Sequence, residues 1–296
     1  MPKKTVAEKQ SKADSWKVGS LKDWIALTRA EHALIVAIAV IASEFVVSKR
    51  FSFAQMLYPA LGPALITLGA FAWNDFFGVK TDAAMKRLER PLVSGKIGRK
   101  TAFYGALLFF ALGLIATLFV SQTVFIIAAL FTVASMLYDP VLKKIPLLGN
   151  AFIASSMSIS FLYGNYVFSD TLNPYVLLFA GISFLAGLGR ELILTLRDME
   201  GDRKIGAKTL PMLIGTKKTV ILASALFHLA VGLSFAPLMN SIKPAYLMPI
   251  AVTDVLFLLT AWTITFKQTP LVLKKARNYT LYGLLIGVIA FATLGF

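Results

Sequence analysis

Apolar runs long enough to cross a bilayer recur along almost the whole chain, at 25–47, 54–77, 101–120, 123–138, 150–168, 174–196, 218–238, 245–266 and 277–296. About 20 apolar residues at a helical rise span the hydrocarbon core. The pattern therefore predicts an all-α integral membrane protein with nine transmembrane helices. No long hydrophilic insertion interrupts the runs, so residues 24–296 read as one membrane domain. Residues 1–23 are rich in Lys and Ser, lack an apolar run of their own, and read as a basic, disordered cytosolic tail. They are similar to the charged start of a signal peptide, but the run that follows is long enough to span and is expected to be retained.

Composition agrees with the pattern. The chain has 296 residues, 57% of them hydrophobic and 15% charged, with a mean hydropathy of +0.73. A soluble domain carries about 25% charge. The absence of cysteine excludes disulfides, thiolate metal sites and cysteine catalysis. His32 and His228 lie far apart in apolar surroundings, which speaks against a histidine-based metal site.

Charge gives the orientation. Threading nine spans puts the tail and loops 78–100, 139–149, 197–217 and 267–276 on one side. All but seven of the 30 lysines and arginines fall there: Lys49, Arg50 and Lys243 lie opposite, Arg29 and Arg190 lie within spans, and Lys218 and Arg277 are the first residues of theirs, next to the basic loops. Such a bias places the basic side, the N-terminus included, in the cytoplasm of a multi-pass cell-membrane protein. The net charge of +15 then needs no nucleic acid, and anionic lipid headgroups are its natural partners.

Two carboxylate clusters interrupt this basic side where the second and sixth spans end: Asn74-Asp75-Phe-Phe-Gly78-Val-Lys-Thr-Asp82, and Asp198-Met-Glu200-Gly-Asp202. On a helix Asp75 and Asp82 share a face, as do Asp198 and Asp202, and like charges so placed repel. A bound Mg²⁺ relieves the repulsion and bridges to an anionic ligand such as a phosphate. Lys86, Arg87, Arg90, Lys143, Lys144, Arg197, Arg203, Lys204 and Lys208 surround the clusters in sequence, the cations a diphosphate requires. The alternative is ordinary helix-end charge paired for solubility. A faint repeat, with Asp82 and Pro91 each 120 residues before Asp202 and Pro211, suggests a duplicated helix–loop unit with facing halves.

These residues resemble the UbiA superfamily of intramembrane prenyltransferases. The first cluster, followed by Arg90-Pro91 and Ser94-Gly95, is similar to the family's first aspartate motif. The second, Asp198 to Asp202-Arg203 followed by Thr209-Leu210-Pro211, is similar to its second. Between them Tyr138 and Leu142-Lys143 resemble the family's Tyr-x-x-x-Leu-Lys segment. The likeness runs from about Leu21 to the C-terminus and departs at Gly78, where the family has a further aspartate.

The resemblance implies nine helices around a central lipid-facing cavity, capped on the cytoplasmic side by the loops after helices two and six. It implies Mg²⁺-dependent ionisation of a polyprenyl diphosphate donor and attack on its allylic carbon by a lipophilic acceptor. Asn74, Asp75, Asp82, Asp198 and Asp202 would hold metal, with Asp82, Asp198, Asp202, Tyr138 and Lys143 counted as catalytic. Asn74, Lys86, Arg90, Lys143 and Arg203 would contact substrate, Lys143 and Arg90 at the diphosphate. Tyr138 would orient the leaving group or face the cation through its ring. Arg190-Glu191 ahead of the second motif is most similar to the branch that moves a geranylgeranyl group onto geranylgeranylglyceryl phosphate in archaeal ether-lipid synthesis. Arg29-Ala-Glu31-His32 is similar instead to quinone-pathway members with aromatic acceptors, and makes Arg29 a substrate contact. A secondary transporter with carboxylate ion sites and an inactive homologue, suggested by Gly78, are the further alternatives.

Overall fold

The computed structural model describes residues 16–204, 206, 208–240 and 243–296, together with the backbone but not the side chains of 204 and 240. Residues 1–15 of the expected tail lie outside the described residues. Among the described residues twelve α-helices follow in order: α1 (Leu21–Thr28), α2 (Ala30–Ser48), α3 (Phe53–Ala84), α4 (Arg99–Leu118), α5 (Gln122–Tyr138), α6 (Leu148–Phe168), α7 (Pro174–Lys204), α8 (Leu210–Ile214), α9 (Thr216–Ser234), α10 (Ala236–Asn240), α11 (Pro244–Phe266) and α12 (Pro270–Ala292).

Among the described residues, nine helices have 17 residues or more, and seven are long and apolar enough to cross a membrane. The expected nine spans are thus seven by length and composition. α5 stops at 17 residues. α6 has 21 but carries Ser155, Ser156 and Ser158 mid-helix. Those hydroxyls donate to the carbonyls of Ala151, Ile153 and Ala180, so the polar groups are satisfied without water.

The helix ends also differ from the expected ones. The first apolar run is broken at Arg29, whose φ of 46° separates α1 from α2. α3 continues beyond the expected end at 77 to Ala84, and α7 beyond 196 to Lys204. Hydropathy falls where hydrocarbon ends, whereas a helix ends where its backbone is stopped. For α3 the stop is Lys86 in the left-handed region, φ 57°, with Pro91 beyond. Both carboxylate clusters therefore sit on helix rather than in loop. α12 begins at Pro270 rather than 277, with the Thr269 side chain accepting from the amide of Val272.

Cα packing divides the chain into two units, one from residues up to Val36 with Leu61–Pro140, the other from Ala37–Ala60 with Val141–Phe296. In the first unit, Leu27, Ala72, Leu92, Ile97, Ala102 and Ala106 form a core flanked by Trp24 and Trp73. α3 and α4 approach closely: a Cβ on Gly113 would lie 2.9 Å from the carbonyl of Gly62. Small residues at such crossings let backbones touch where no hydrophobic effect drives helices together. The chain entering this unit is tied down, with Gly98 N–H donating to Lys17 O and Lys17 Nζ to Gly95 O. Ser20 and Asp23 form a capping box at α1, which holds the Asp23 carboxyl below its usual range.

In the second unit, Leu192, Ile193, Phe227, Phe257 and Ile264 build one core on α7, α9 and α11. Phe161, Phe179, Tyr246 and Phe291 build another. Gly164 plays the part of Gly113 here, since a Cβ on it would sit 2.6 Å from Val40 O on α2. The outward faces stay apolar as well, as at Leu108, Leu112 and Ile115 of α4. A lipid solvent permits this and water does not.

Candidate active site

Asp75, in the last third of α3, is the centre of the first cluster. Its side chain is 1% exposed, and its Oδ1 accepts from Arg29 Nη2 at 2.9 Å and Arg90 Nη1 at 2.8 Å. The two arginines arrive from either side of Asp75 in the sequence, one from the α1–α2 break and one from the loop after α3. Arg29 also lies over the ring of Phe71, 4.5 Å from its centroid. One turn pair further along the same face, buried Asp82 accepts from Arg87 Nη1 at 2.9 Å. Gly78 belongs to that face, because a Cβ on it would meet Asp82 Oδ2 at 3.5 Å. Asn74 Nδ2 donates to Asp139 Oδ1 at 2.8 Å, and Trp73 Nε1 donates to Met136 O. These two bonds fix the motif-bearing end of α3 against the end of α5.

The other predicted residues of this unit are less engaged. Lys86 is exposed at its left-handed turn, and Tyr138 is half-buried as the last residue of α5. Glu31 and His32 are both exposed.

The second cluster lies in the second unit. Arg197 grips Asp198 with two of its guanidinium nitrogens, Nε donating to Oδ1 at 2.8 Å and Nη2 to Oδ2 at 2.7 Å. Asp202 is half-buried one turn on, and Arg203 is exposed. Upstream on α7, Arg190 is buried beside Glu191, with Nη1 3.5 Å from Oε1. Asn150 Nδ2 donates to Thr195 Oγ1 and joins α6 to α7. Lys143 is exposed on a 3₁₀ turn, Leu142–Lys144. Gly149 allows that turn to fold back, since its Cβ would lie 3.1 Å from Lys143 Cα.

Whether these side chains suit a divalent cation is decided at Asp75. Its Oδ2 is buried with no hydrogen-bond partner, an anionic oxygen left open while the arginines occupy Oδ1. Among the described residues no three His, Asp or Glu side chains form a ready metal cage. Mg²⁺ does not require one, because it retains waters and takes substrate phosphate oxygens around one or two carboxylates. The donor set fits.

Three residues stand out in the structure that sequence reasoning did not single out. Asp139 belongs to no motif and is revealed only by its bond to Asn74. Arg87 was one of several nearby cations, and the fold selects it for Asp82. Glu44 lies within the first apolar run, 0% exposed, with neither carboxyl oxygen hydrogen-bonded. Asp254, the acid that a transporter reading would use, is an ordinary helix–helix contact, accepting from Ser234 Oγ at 2.8 Å.

A buried carboxylate held by two arginines lies on one long apolar helix, and a second acid cluster lies on another. The UbiA prenyltransferase family matches residues 33–281, and the chain belongs to that family. It is a membrane-embedded prenyltransferase. It is 31% identical over 272 residues to the digeranylgeranylglyceryl phosphate synthase of Archaeoglobus fulgidus, covering 90% of this chain and 92% of that one. With the digeranylgeranylglyceryl phosphate synthase of Methanosphaera stadtmanae it shares 30% over 275 residues, 92% and 98% of the two chains. A solved structure of a digeranylgeranylglyceryl phosphate synthase in membranes aligns with TM-score 0.76 at 27% identity, over 93% of this chain and 98% of that chain. A UbiA homolog from Archaeoglobus fulgidus bound to GPP and Mg2+ aligns with TM-score 0.66 at 17% identity, over 90% and 99%, a likeness of fold alone.

Proposed function

We propose that this prenyltransferase moves a geranylgeranyl group from geranylgeranyl diphosphate onto geranylgeranylglyceryl phosphate, a step of ether-lipid synthesis, with Mg²⁺. The observation that carries the reading is the likeness over nine-tenths of the chain to relatives of that one activity. In the reaction the bond between the allylic carbon and the diphosphate oxygen breaks, and the diphosphate leaves with the electron pair. The acceptor hydroxyl oxygen bonds to that carbon and loses its proton.

Asp75, Asp82 and Asn74 on α3, with Asp198 and Asp202 on α7, would hold the metal. When bound, it neutralises charge growing on the leaving diphosphate. Arg90 and Lys143 would bind the diphosphate, Lys86 and Arg203 would add positive charge for the substrate, and Tyr138 would orient the leaving group. Arg29 would act through Asp75, occupying Oδ1 and leaving Oδ2 open as a ligand.

Nine spans with the N-terminus in the cytoplasm accommodate this chemistry. The 17 residues of α5 rise about 25 Å, at the short end of what crosses a bilayer. With that count both acid clusters end even-numbered spans and emerge on the cytoplasmic face.

The test is mass spectrometry of products from the purified protein supplied with geranylgeranyl diphosphate, Mg²⁺, and either geranylgeranylglyceryl phosphate or aromatic acids. A digeranylgeranyl ether product is expected. Prenylation of the aromatic acid alone would replace the acceptor, and exchange of substrate across liposomes without diphosphate release would replace the enzyme.

A further inference from the structure

Away from the acid motif, the first unit contains a cavity of about 360 Å³ lined by Trp16, Phe76, Arg99, Lys100, Phe103 and Tyr104. At 100° per residue, Phe76 faces more than a quarter turn away from the Asp75–Gly78–Asp82 stripe of α3, so the cavity is separate from the diphosphate residues. We infer that it is a binding site for an anionic membrane lipid, with the phosphate on Arg99 and Lys100 and the first part of the chain on the aromatic rings.

Four observations converge on this. Arg99 is the first residue of α4, itself long and apolar enough to be a span, so the cavity lies at headgroup level. The guanidinium of Arg99 is stacked over Phe76, 4.5 Å from the ring centroid, which leaves its N–H edge for an acceptor. Its Nε is buried with no hydrogen-bond partner, a donor that an anion would satisfy. The remaining walls are rings: Trp16 stacks on Tyr104 at 5.2 Å and 16°, and both are more than half exposed. Amphipathic aromatics at this depth are the side chains that meet the boundary between headgroup and acyl chain.

The local chain is built to hold the site. Lys17 is bonded through both its carbonyl and its Nζ to the loop ahead of α4, which keeps Trp16 over Tyr104. Two cations and four rings leave no acid in the lining, so a zwitterionic headgroup would gain nothing from its cationic half.

The full-length protein in detergent is titrated with dioctanoyl phosphatidylglycerol, dioctanoyl phosphatidylcholine and inorganic phosphate, with bound species counted by native mass spectrometry. Phosphatidylglycerol is expected to bind and phosphatidylcholine to remain at background. Arg99→Gln should weaken phosphatidylglycerol about tenfold, the scale of one lost charge-assisted hydrogen bond. Trp16→Ala, at an exposed ring, reads the same site should Arg99→Gln fail to fold. Prenyl transfer in lipid-free micelles should be unchanged in both, which separates this site from the catalytic one. Unaltered binding in the variants, equal binding of phosphatidylcholine, or complete displacement of the lipid by inorganic phosphate would each overturn the assignment.

Discussion

Arg29 reaches Asp75 from a backbone conformation that arginine rarely adopts. At φ 46° and ψ 57° it forms the left-handed break between α1 and α2, and from there its Nη2 meets Asp75 Oδ1 at 2.9 Å. Left-handed backbone costs a non-glycine residue about 1 kcal/mol, and such conformations persist where the surroundings hold them. Here the holding contact is a buried carboxylate that also accepts from Arg90.

Sharing one oxygen makes the two arginines redundant for stability and not additive. Removing either relieves their mutual repulsion while the other still compensates Asp75, so Arg29→Gln or Arg90→Gln alone should cost about 1 kcal/mol. Removing both leaves a buried carboxylate unpaired, a loss of about 3–5 kcal/mol. Thermal unfolding of the four proteins of the cycle in one detergent measures this. Simple additivity would mean that the two guanidiniums do not act on the same charge.

Asp139 should behave as a positioning residue for the metal. By accepting from Asn74 Nδ2 it turns the Asn74 carbonyl oxygen away from itself, free to act as a ligand. Partners of this kind govern ligand orientation, and Asp139→Ala should weaken apparent Mg²⁺ affinity about 10–100-fold. Turnover at saturating Mg²⁺ should recover much of its rate. A rate that stays low at any Mg²⁺ would assign Asp139 to the chemistry itself.

The contrast between Asp139 and Asp75 marks how far the sequence could be read. Helix order followed from hydropathy because lipid requires apolar residues on every outward face. The shared face of Asp75 and Asp82 followed from their spacing of seven. Neither rule applies to Asp139, which meets Asn74 only because the end of α5 packs on α3. Hydropathy also misjudged the ends of α3 and α7, since both helices persist past the last apolar residue. Glu44 is different: an acid inside an apolar run is visible at once in the sequence, and its burial makes it conspicuous in the fold.

The second cluster should be the less forgiving one. On the proposed metal site Gly78 leaves the first motif a ligand short, so Asp198 and Asp202 would carry more of the load. Asp198 is partly exposed and, among the described residues, ion-paired with its neighbour Arg197, an arrangement worth about 0–1 kcal/mol to the fold. Asp198→Ala should therefore leave the unfolding temperature nearly unchanged while turnover falls by about 10²-fold or more. Near-normal rates would mean that the metal is held elsewhere.

Metal removal should act on binding as well as on rate. Oδ2 of Asp75 is buried without a hydrogen-bond partner, and a cation held there would add a contact to the diphosphate that chelation removes. Calorimetric titration with geranylgeranyl diphosphate should show affinity reduced at least about tenfold in EDTA, the scale of a single strong electrostatic contact. Unchanged affinity after chelation would remove the metal bridge.

Gly78 offers the converse experiment, a gain of affinity. It lies on the face of Asp75 and Asp82 within α3, outside the left-handed region, and a Cβ there touches only Asp82 Oδ2, at an ordinary 3.5 Å. Neither backbone conformation nor close packing requires glycine, so a side chain is admitted. Gly78→Asp would add an oxygen one turn from Asn74 and from Asp82. Two effects oppose each other. The new carboxylate adds a ligand, which strengthens Mg²⁺ binding, and it adds repulsion against Asp75 and Asp82 in the metal-free protein. Asp75 already has Arg29 and Arg90 on Oδ1, and Asp82 has Arg87. With these three guanidiniums present the repulsion is largely compensated, and the ligand effect should prevail. The Mg²⁺ concentration giving half-maximal turnover should drop several-fold, about 1 kcal/mol of added cation binding, with the helix intact by circular dichroism. A folded variant needing more Mg²⁺ than the parent would show that repulsion wins and that glycine at this position serves to limit charge.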